Sequence, residues 1–334
     1  MNRLPLCAAM MLALAAPMPA FAWGSDGHRM IGELGMKTLP ATLPAFLRSP
    51  SAAATVGWLS PEPDRIRGAG TVNDKEHDPA HFVDANDDLT VLGGPPLKAL
   101  PLTREDYDTA LRAVNSSQYK AGYLSYSIQA GYELVRKDMA LWRLAVVGAK
   151  YAPTRAERAR YAADRARREA ELLRDLGLWS HFVGDGSQPL HVTVHYNGWG
   201  NFPNPQGFTA DHIHSPFESE YVHANVTEGA VRAAMPAPKD CACAISERIA
   251  GYLADTAAGV APLYTAWKAG EFTPVATPVG TTFAARYVAR GAAELRDLIV
   301  MAWKDSDNAT VGYPGTKITE VEQGKAEALA KLRE

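Results

Sequence analysis

Residues 158–184, RARYAADRARREAELLRDLGLWSHFVG, decide the fold class. Tyr161, Leu172, Leu173, Leu176, Trp179 and Phe182 recur at mostly three- and four-residue steps, the period of an amphipathic helix. The other face carries Arg160, Arg165, Arg167, Arg168, Glu169 and Arg174, which reads as a solvated surface with internal ion pairs rather than a nucleic-acid stripe. Comparable patterns over 123–147, 217–231, 246–267 and 283–303 predict further helices. Gly-, Pro- and Asp-rich stretches at 60–86, 93–103 and 193–207 separate them, and strand-type alternation is scarce. The expectation is an all-α, single compact multi-helix domain with long functional loops.

Composition narrows the function classes. A formal net charge of −3 offers no basic bias toward nucleic acid, and 47% hydrophobic residues suffice for a large core. The first 22 residues contain one charge, Arg3, then an apolar run from about Leu4 to Ala16 that is too short for a bilayer span. Pro17 and Pro19 follow, and Ala20-Phe21-Ala22 has the small-x-small form that signal peptidases cut after. Residues 1–22 are therefore expected to be a signal peptide and 23–334 the mature chain, secreted or periplasmic. Cys7 leaves with that leader. Cys241 and Cys243 then pair with each other, pair with another chain, or remain two adjacent thiols in a loop after Pro236 and Pro238. Two cysteines make no zinc site.

The histidines are placed unusually. His181 and Asp185 are four apart on the long helix, and so are His214 and Glu218 further on; such pairs share a helix face. His191 lies between them, just past a break at Gly186 to Pro189. One buried histidine is ordinarily a hydrogen-bonded core residue. Two His-x-x-x-carboxylate pairs with a third histidine between them are hard to satisfy by packing, and imidazole and carboxylate are ligands that zinc accepts. Asp64 in WLSPEPDRIRG and His81 in HDPAHFVDAN add candidates, with His77 a rival to His81. His195 and His223 read as surface or loop residues. Cleavage after Ala22 would expose the α-amino group of Trp23, whose pKa of roughly 7.7–8.0 lets a metal displace its proton near neutrality. The amine and its own carbonyl oxygen would close a five-membered chelate, with His28 beside it.

These pieces, WGSDGH at 23–28, WLSPEPD ending at Asp64, HFVDAN, HFVGDGSQPLH and HSPFE, occur in order over residues 23–222. In them the chain resembles the zinc-dependent phospholipases C of bacteria and the fungal single-strand-specific nucleases that share their fold. HFVGDGSQPLH is the most specific piece, LRDLIVMAW a weaker echo, and the HFVD context favours His81 over His77. The resemblance implies three Zn²⁺ in a trinuclear cleft. One is held by Asp64, His81, His181 and Asp185; a second by the Trp23 amine and carbonyl, His28 and the bridging Asp185; the third by His191, His214 and Glu218. Three divalent ions against three carboxylates leave the site positive, which suits a phosphodiester. The resemblance further implies that a water between the paired zincs attacks phosphorus in line, that Asp64 orients or deprotonates it, and that the third zinc stabilises the departing oxygen.

The substrate follows from finer features. The nuclease branch shows Asn-Leu-His-x-x-Trp-Asp at the third zinc, whereas this chain reads PQGFTADHIHSPFE. Pro205 to Phe208 followed by His214 resembles the phospholipase branch, with an insertion from Thr209 to Ile213 that makes His212 a decoy or an outer partner. Phe208 is the candidate lipid contact, with Ile213, Pro216 and Phe217 around it, and Phe82 the candidate for stacking a nucleobase or touching a head group. The expectation favours a phospholipase C releasing a phosphatidylcholine-type head group. The alternatives are a single-strand-specific endonuclease and 3′-nucleotidase, and a non-enzymatic helical module stapled by zinc. The partners are then a phospholipid or single-stranded nucleic acid as substrate, with transient membrane-surface contact and no obligate protein partner.

Overall fold

The computed structural model describes residues 23–313 and 315–332, so the expected signal peptide lies outside the described residues. The longer helices are α1 (Gly24–Lys37), α2 (Pro50–Leu59), α3 (Arg104–Arg112), α4 (Leu124–Tyr151), α5 (Arg155–Asp185), α6 (Ile245–Ala257), α7 (Val260–Lys268), α8 (Pro278–Asp305) and α9 (Ile318–Lys331). A two-stranded antiparallel hairpin, β1 (Thr310–Val311) and β2 (Thr316–Lys317), pairs Val311 with Thr316. The all-α expectation holds for the described residues.

Helix α5 begins where a capping box fixes it. Thr154 Oγ1 accepts from the Glu157 amide at 3.1 Å, and Glu157 reaches back to the Thr154 amide at 2.9 Å. Tyr161, Leu172, Leu176 and Trp179 bury one stripe of it. The arginine face is solvated and paired as expected, with Arg165 against Glu169 and Arg168 against Asp164 and Glu171. Helix α4 lies along α5, and two of its glycines admit the aromatic rings of its partner. A Cβ at Gly131 would fall 2.1 Å from the Trp179 ring and one at Gly148 2.3 Å from the Tyr161 ring. Trp179 Nε1 donates to the Ile128 carbonyl at 2.8 Å, which fixes the level at which the two helices meet. Gly131→Ala is therefore expected to cost about 1–3 kcal/mol by overpacking. Thermal unfolding checks this, and an unchanged melting temperature would contradict the close approach.

Helix α8 supplies the central apolar face, Ala284, Ala285, Val288, Ala292, Leu295 and Ile299, against which α1, α4 and α5 pack. A smaller cluster lies apart, where Val311, Ile318, Val321 and Leu329 cover Leu144 and Tyr161. Among the described residues no helix is long and apolar enough to cross a membrane.

Three sequence expectations need correction. The helix expected over 217–231 is broken: a π-turn spans Pro216–Tyr221, a short helix Val222–Asn225, and a new helix starts at Glu228, capped by Thr227, whose Oγ1 accepts from the Ala230 amide. The helix expected over 246–267 divides into α6 and α7. Its chain turns at Gly259, where a Cβ would meet the Tyr287 hydroxyl at 2.0 Å. His195 lies in a loop but not at the surface: it is fully buried, stacked 3.7 Å from the Trp199 ring, with its nitrogens facing the Trp199 carbonyl and Asp87. Cys241 and Cys243 are disulfide-bonded to each other, with Cα atoms 5.2 Å apart.

Candidate metal centre

Six segments bring their polar residues to one place. Asp64 lies on the short helix Glu62–Arg65 that follows α2, and His81 ends the 3₁₀ turn Asp78–His81. His181 and Asp185 occupy the end of α5, where successive turns align them. Helix α5 stops because Pro189 cannot continue it, and the 3₁₀ turn Pro189–His191 aims His191 back inward. His214 and Glu218 straddle the start of the π-turn, a rare helical form found mostly at functional sites. His28 projects from α1.

The structure brings eight of the nine expected residues, all but Trp23, into three buried groups. His28, His181 and Asp185 form one buried cluster, Asp64, His81 and His181 a second, and His191, His214 and Glu218 a third; within each, the donor atoms lie within 4.8 Å of one another. His28 Nε2 is 3.5 Å from Asp185 Oδ1, and His81 Nδ1 is 3.2 Å from Asp185 Oδ2, so the two oxygens of Asp185 face different clusters. His191 Nδ1, 4.0 Å from Asp185 Oδ1, joins the third cluster to the others. His77 is exposed and turned to the Asn73 carbonyl, outside the centre. His212 is exposed too, touching Asn197, whose Oδ1 accepts from the His214 amide; it is an outer neighbour.

Backbone carbonyls fix how the imidazoles present themselves. His181 Nδ1 lies 2.9 Å from the Ser60 carbonyl, His191 Nδ1 2.6 Å from that of His81, and His214 Nδ1 2.9 Å from that of Tyr196. A carbonyl only accepts, so each Nδ1 carries the proton and a neutral ring turns an Nε2 lone pair inward. The Nε2 atoms of His191 and His214 then face each other at 3.1 Å, with Glu218 Oε2 3.6 and 2.9 Å away. Two lone pairs and a carboxylate oxygen converging this closely repel unless a proton or a metal ion lies among them. Asp64 Oδ1, Asp185 Oδ1 and Glu218 Oε1 are buried without a hydrogen-bond partner, which is costly for carboxylates. The donor set fits divalent metal ions of the kind that accept imidazole and carboxylate together.

The electrostatics point the same way. Burial pushes the Asp64 carboxyl up to about 7 and Asp185 well above the ordinary range, the latter helped by the neighbouring Asp64 charge. Burial also holds His81 and His181 well below the usual imidazole value, and lowers His191. Desolvation alone would raise Glu218, but the adjoining His214 and His191 outweigh it and bring it to about 2.

Trp23 is completely buried, its Nε1 donating to the Gly184 carbonyl and Ser187 Oγ, each at 2.9 Å. This anchors it beside the residue that precedes Asp185. Its carbonyl accepts from the Gly27 amide at 3.2 Å, and its φ is 42°. The expected chelate depends on a free amine at residue 23. Phe82 is half-buried, its backbone carbonyl accepting from Leu124. Phe208, expected as a lipid contact, is packed into the core against Trp199 and Tyr264, with ring centroids 4.7 and 5.5 Å away. Ile213 and Phe217 are fully buried as well, so this group reads as packing rather than as an exposed apolar approach.

Gln188 was missed in the sequence. Fully buried, it donates from Nε2 to Glu218 Oε2 at 3.0 Å while its Oε1 accepts from the Leu190 amide at 2.8 Å, so one amide holds both the carboxylate and the turn carrying His191. Its only sequence signal is its place between a helix break and Pro-Leu-His. Gln188→Leu is expected to weaken metal binding at the third cluster by about 10–100-fold, the cost of losing an outer partner of a ligand. Metal titration followed by calorimetry checks this, and unchanged affinity would contradict it. Comparison with protein-family models, curated proteins and solved structures finds no match.

Proposed function

We propose that the protein is a zinc-dependent phosphodiesterase acting outside the cytoplasm, with phospholipase C activity as the leading reading. The observation that carries it is a set of three adjoining buried His/carboxylate clusters, two of them joined through the two oxygens of Asp185. Structural zinc favours closed four-ligand sites rich in cysteine, whereas His191, His214 and Glu218 offer three protein ligands and leave a position for substrate. Bound zinc would supply Lewis-acid stabilisation of phosphoryl oxygens and a lowered water pKa. Asp64 is the candidate for holding and deprotonating the attacking water, since its Oδ1 is buried and not committed to a hydrogen bond. The Arg67 guanidinium, its Nε 3.5 Å from the same Oδ1, favours the ionised form of that carboxyl. The carbonyls of Ser60, His81 and Tyr196 keep the imidazoles in the metal-binding tautomer.

The lipid reading rests on the sequence likeness of the PQGF and His214/Glu218 segment to the phospholipase branch, with Phe208 itself a packing residue, and on the lack of a basic surplus, because nucleic-acid binding draws heavily on Lys and Arg. Hydrolysis of phosphatidylcholine and of single-stranded DNA, assayed side by side at matched zinc and pH, tests it. Head-group release outpacing DNA cleavage is expected; efficient DNA cleavage without head-group release assigns the nuclease activity instead. A protein beginning Met-Gly-Trp in place of Trp23 is expected to bind less zinc and turn over more slowly, because its amine is displaced from the chelate. Equal zinc content and activity would rule the chelate out.

A further inference from the structure

Between the first turns of α4 and the last turns of α5 lies a cavity of about 670 Å³. Phe182 forms its wall toward the metal ligands, its ring centroid 5.2 Å from that of His81 and 5.5 Å from that of His181. Tyr126, Trp179, Leu178 and Leu134 continue the apolar lining, and Leu134 is half exposed at the edge. The polar tips of the aromatic side chains are already used. Trp179 Nε1 donates to the Ile128 carbonyl, the Tyr126 hydroxyl donates to the Pro101 carbonyl at 2.7 Å, and the Tyr123 hydroxyl donates to that of Glu76. Between these anchored tips the cavity presents ring carbon and methylene, against which a ligand's apolar surface is favoured, and the polar side chains of Ser127 and Gln129 beside them donate to the Tyr123 carbonyl and to Glu133.

The rim adds a charge criterion. Glu76, Glu133 and Asp175 stand there against one guanidinium, Arg104, which lies 4.0 Å from the Tyr123 ring centroid and donates to Gln118 at 2.6 Å. His77, also on the rim, is turned to the Asn73 carbonyl. Asp175 is paired with Arg174 at 3.0 Å, so Glu76 and Glu133 against Arg104 remain, a balance that offers a polyanionic strand no attraction and leaves an uncharged chain unaffected.

We propose that this cavity is a binding site for one unbranched hydrocarbon chain, placed to take an acyl chain of the substrate while the phosphodiester meets the metal centre. The substrate role rests on the phospholipase reading; the hydrocarbon site does not. Proximity to Phe182 gives the site its consequence, because a chain lodged there lies one ring away from His81 and His181. Such a site would make turnover depend on chain length as well as on the head group.

Calorimetric titration of the protein with 1-hexanol, 1-octanol and 1-decanol tests the site directly. One binding site is expected, tightening about fourfold for each added methylene. Ala130→Trp, at an exposed position of α4 that borders the cavity, and Leu134→Glu at its edge are both expected to weaken decanol binding at least tenfold. Metal content and melting temperature of both variants should stay at wild-type values, which separates blockage from misfolding. Binding that ignores chain length, or that survives both substitutions, would overturn the proposal. Displacement of decanol by a single-stranded oligonucleotide would overturn it in favour of base stacking. Chain-dependent binding without phosphatidylcholine hydrolysis supports the hydrocarbon site and counts only against the phospholipase reading, while hydrolysis without alkanol binding counts only against the site.

Discussion

Asp185→Asn is expected to remove bound metal and nearly abolish phosphodiester hydrolysis, with a loss well beyond the roughly 10–100-fold that an outer partner contributes. The substitution keeps the shape of the side chain and withdraws its charge from two clusters at once, since Oδ1 faces His28 and Oδ2 faces His81 and His181. It also relieves a buried carboxyl that is held well above its ordinary range. The variant should therefore fold at least as well as the metal-free wild type while binding fewer ions. Elemental analysis beside a bis-p-nitrophenyl phosphate assay checks both halves. Wild-type turnover in Asp185→Asn would remove the bridging role.

Metal removal has the second large effect, and its size should depend on pH. Each ion held 100-fold above its dissociation constant stabilises the fold by about 2.7 kcal/mol, which chelation withdraws. In the metal-free protein Asp64 is raised to about 7 and Asp185 well above its ordinary value, so above 3.8, and for Asp64 up to about 7, the folded state holds protons that the unfolded chain has released. Stability falls as pH rises through that window. His81, His181 and His191 act in the opposite sense, because their lowered values make stability rise with pH up to the unfolded value of 6.5. Above 6.5 the raised carboxyls remain, Asp64 and Asp185 at the metal centre and Asp84 and Asp138 away from it, and the latter pair acts equally in the chelated and loaded forms. The chelated protein is expected to lose melting temperature as pH rises from about 6.5 through the Asp64 value of about 7, where the metal-loaded protein, with Asp64 and Asp185 already ionised as ligands, loses less. Parallel melting curves across that range for the two forms would contradict the assignment.

What could be read from the sequence was what repeats or what spacing imposes. The stripe from Tyr161 to Phe182 gave α5, and the four-residue steps His181 to Asp185 and His214 to Glu218 gave pairs that do converge. Side-chain identity says nothing of the carbonyls of Ser60, His81 and Tyr196 that set the tautomers, since any residue supplies a carbonyl. The breaks near Val226 and Gly259 escaped for a related reason. Apolar periodicity continues across both, while Thr227 capping a new helix and Tyr287 pressing on Gly259 are local and tertiary facts. Phe208 was misjudged because an aromatic residue near a metal motif in sequence need not face the metal; Trp199 and Tyr264, which bury it, come from other segments.

Zinc stoichiometry of the chain beginning at Trp23 tests the metal centre most directly. The metal-free protein would be titrated with zinc and its bound metal counted by elemental analysis, with the sites located by anomalous diffraction. Three ions per chain are predicted: at His28/Asp185, at Asp64/His81/His181, and at His191/His214/Glu218. A protein that folds and takes up no zinc, or whose zinc lies away from Asp185, would contradict it.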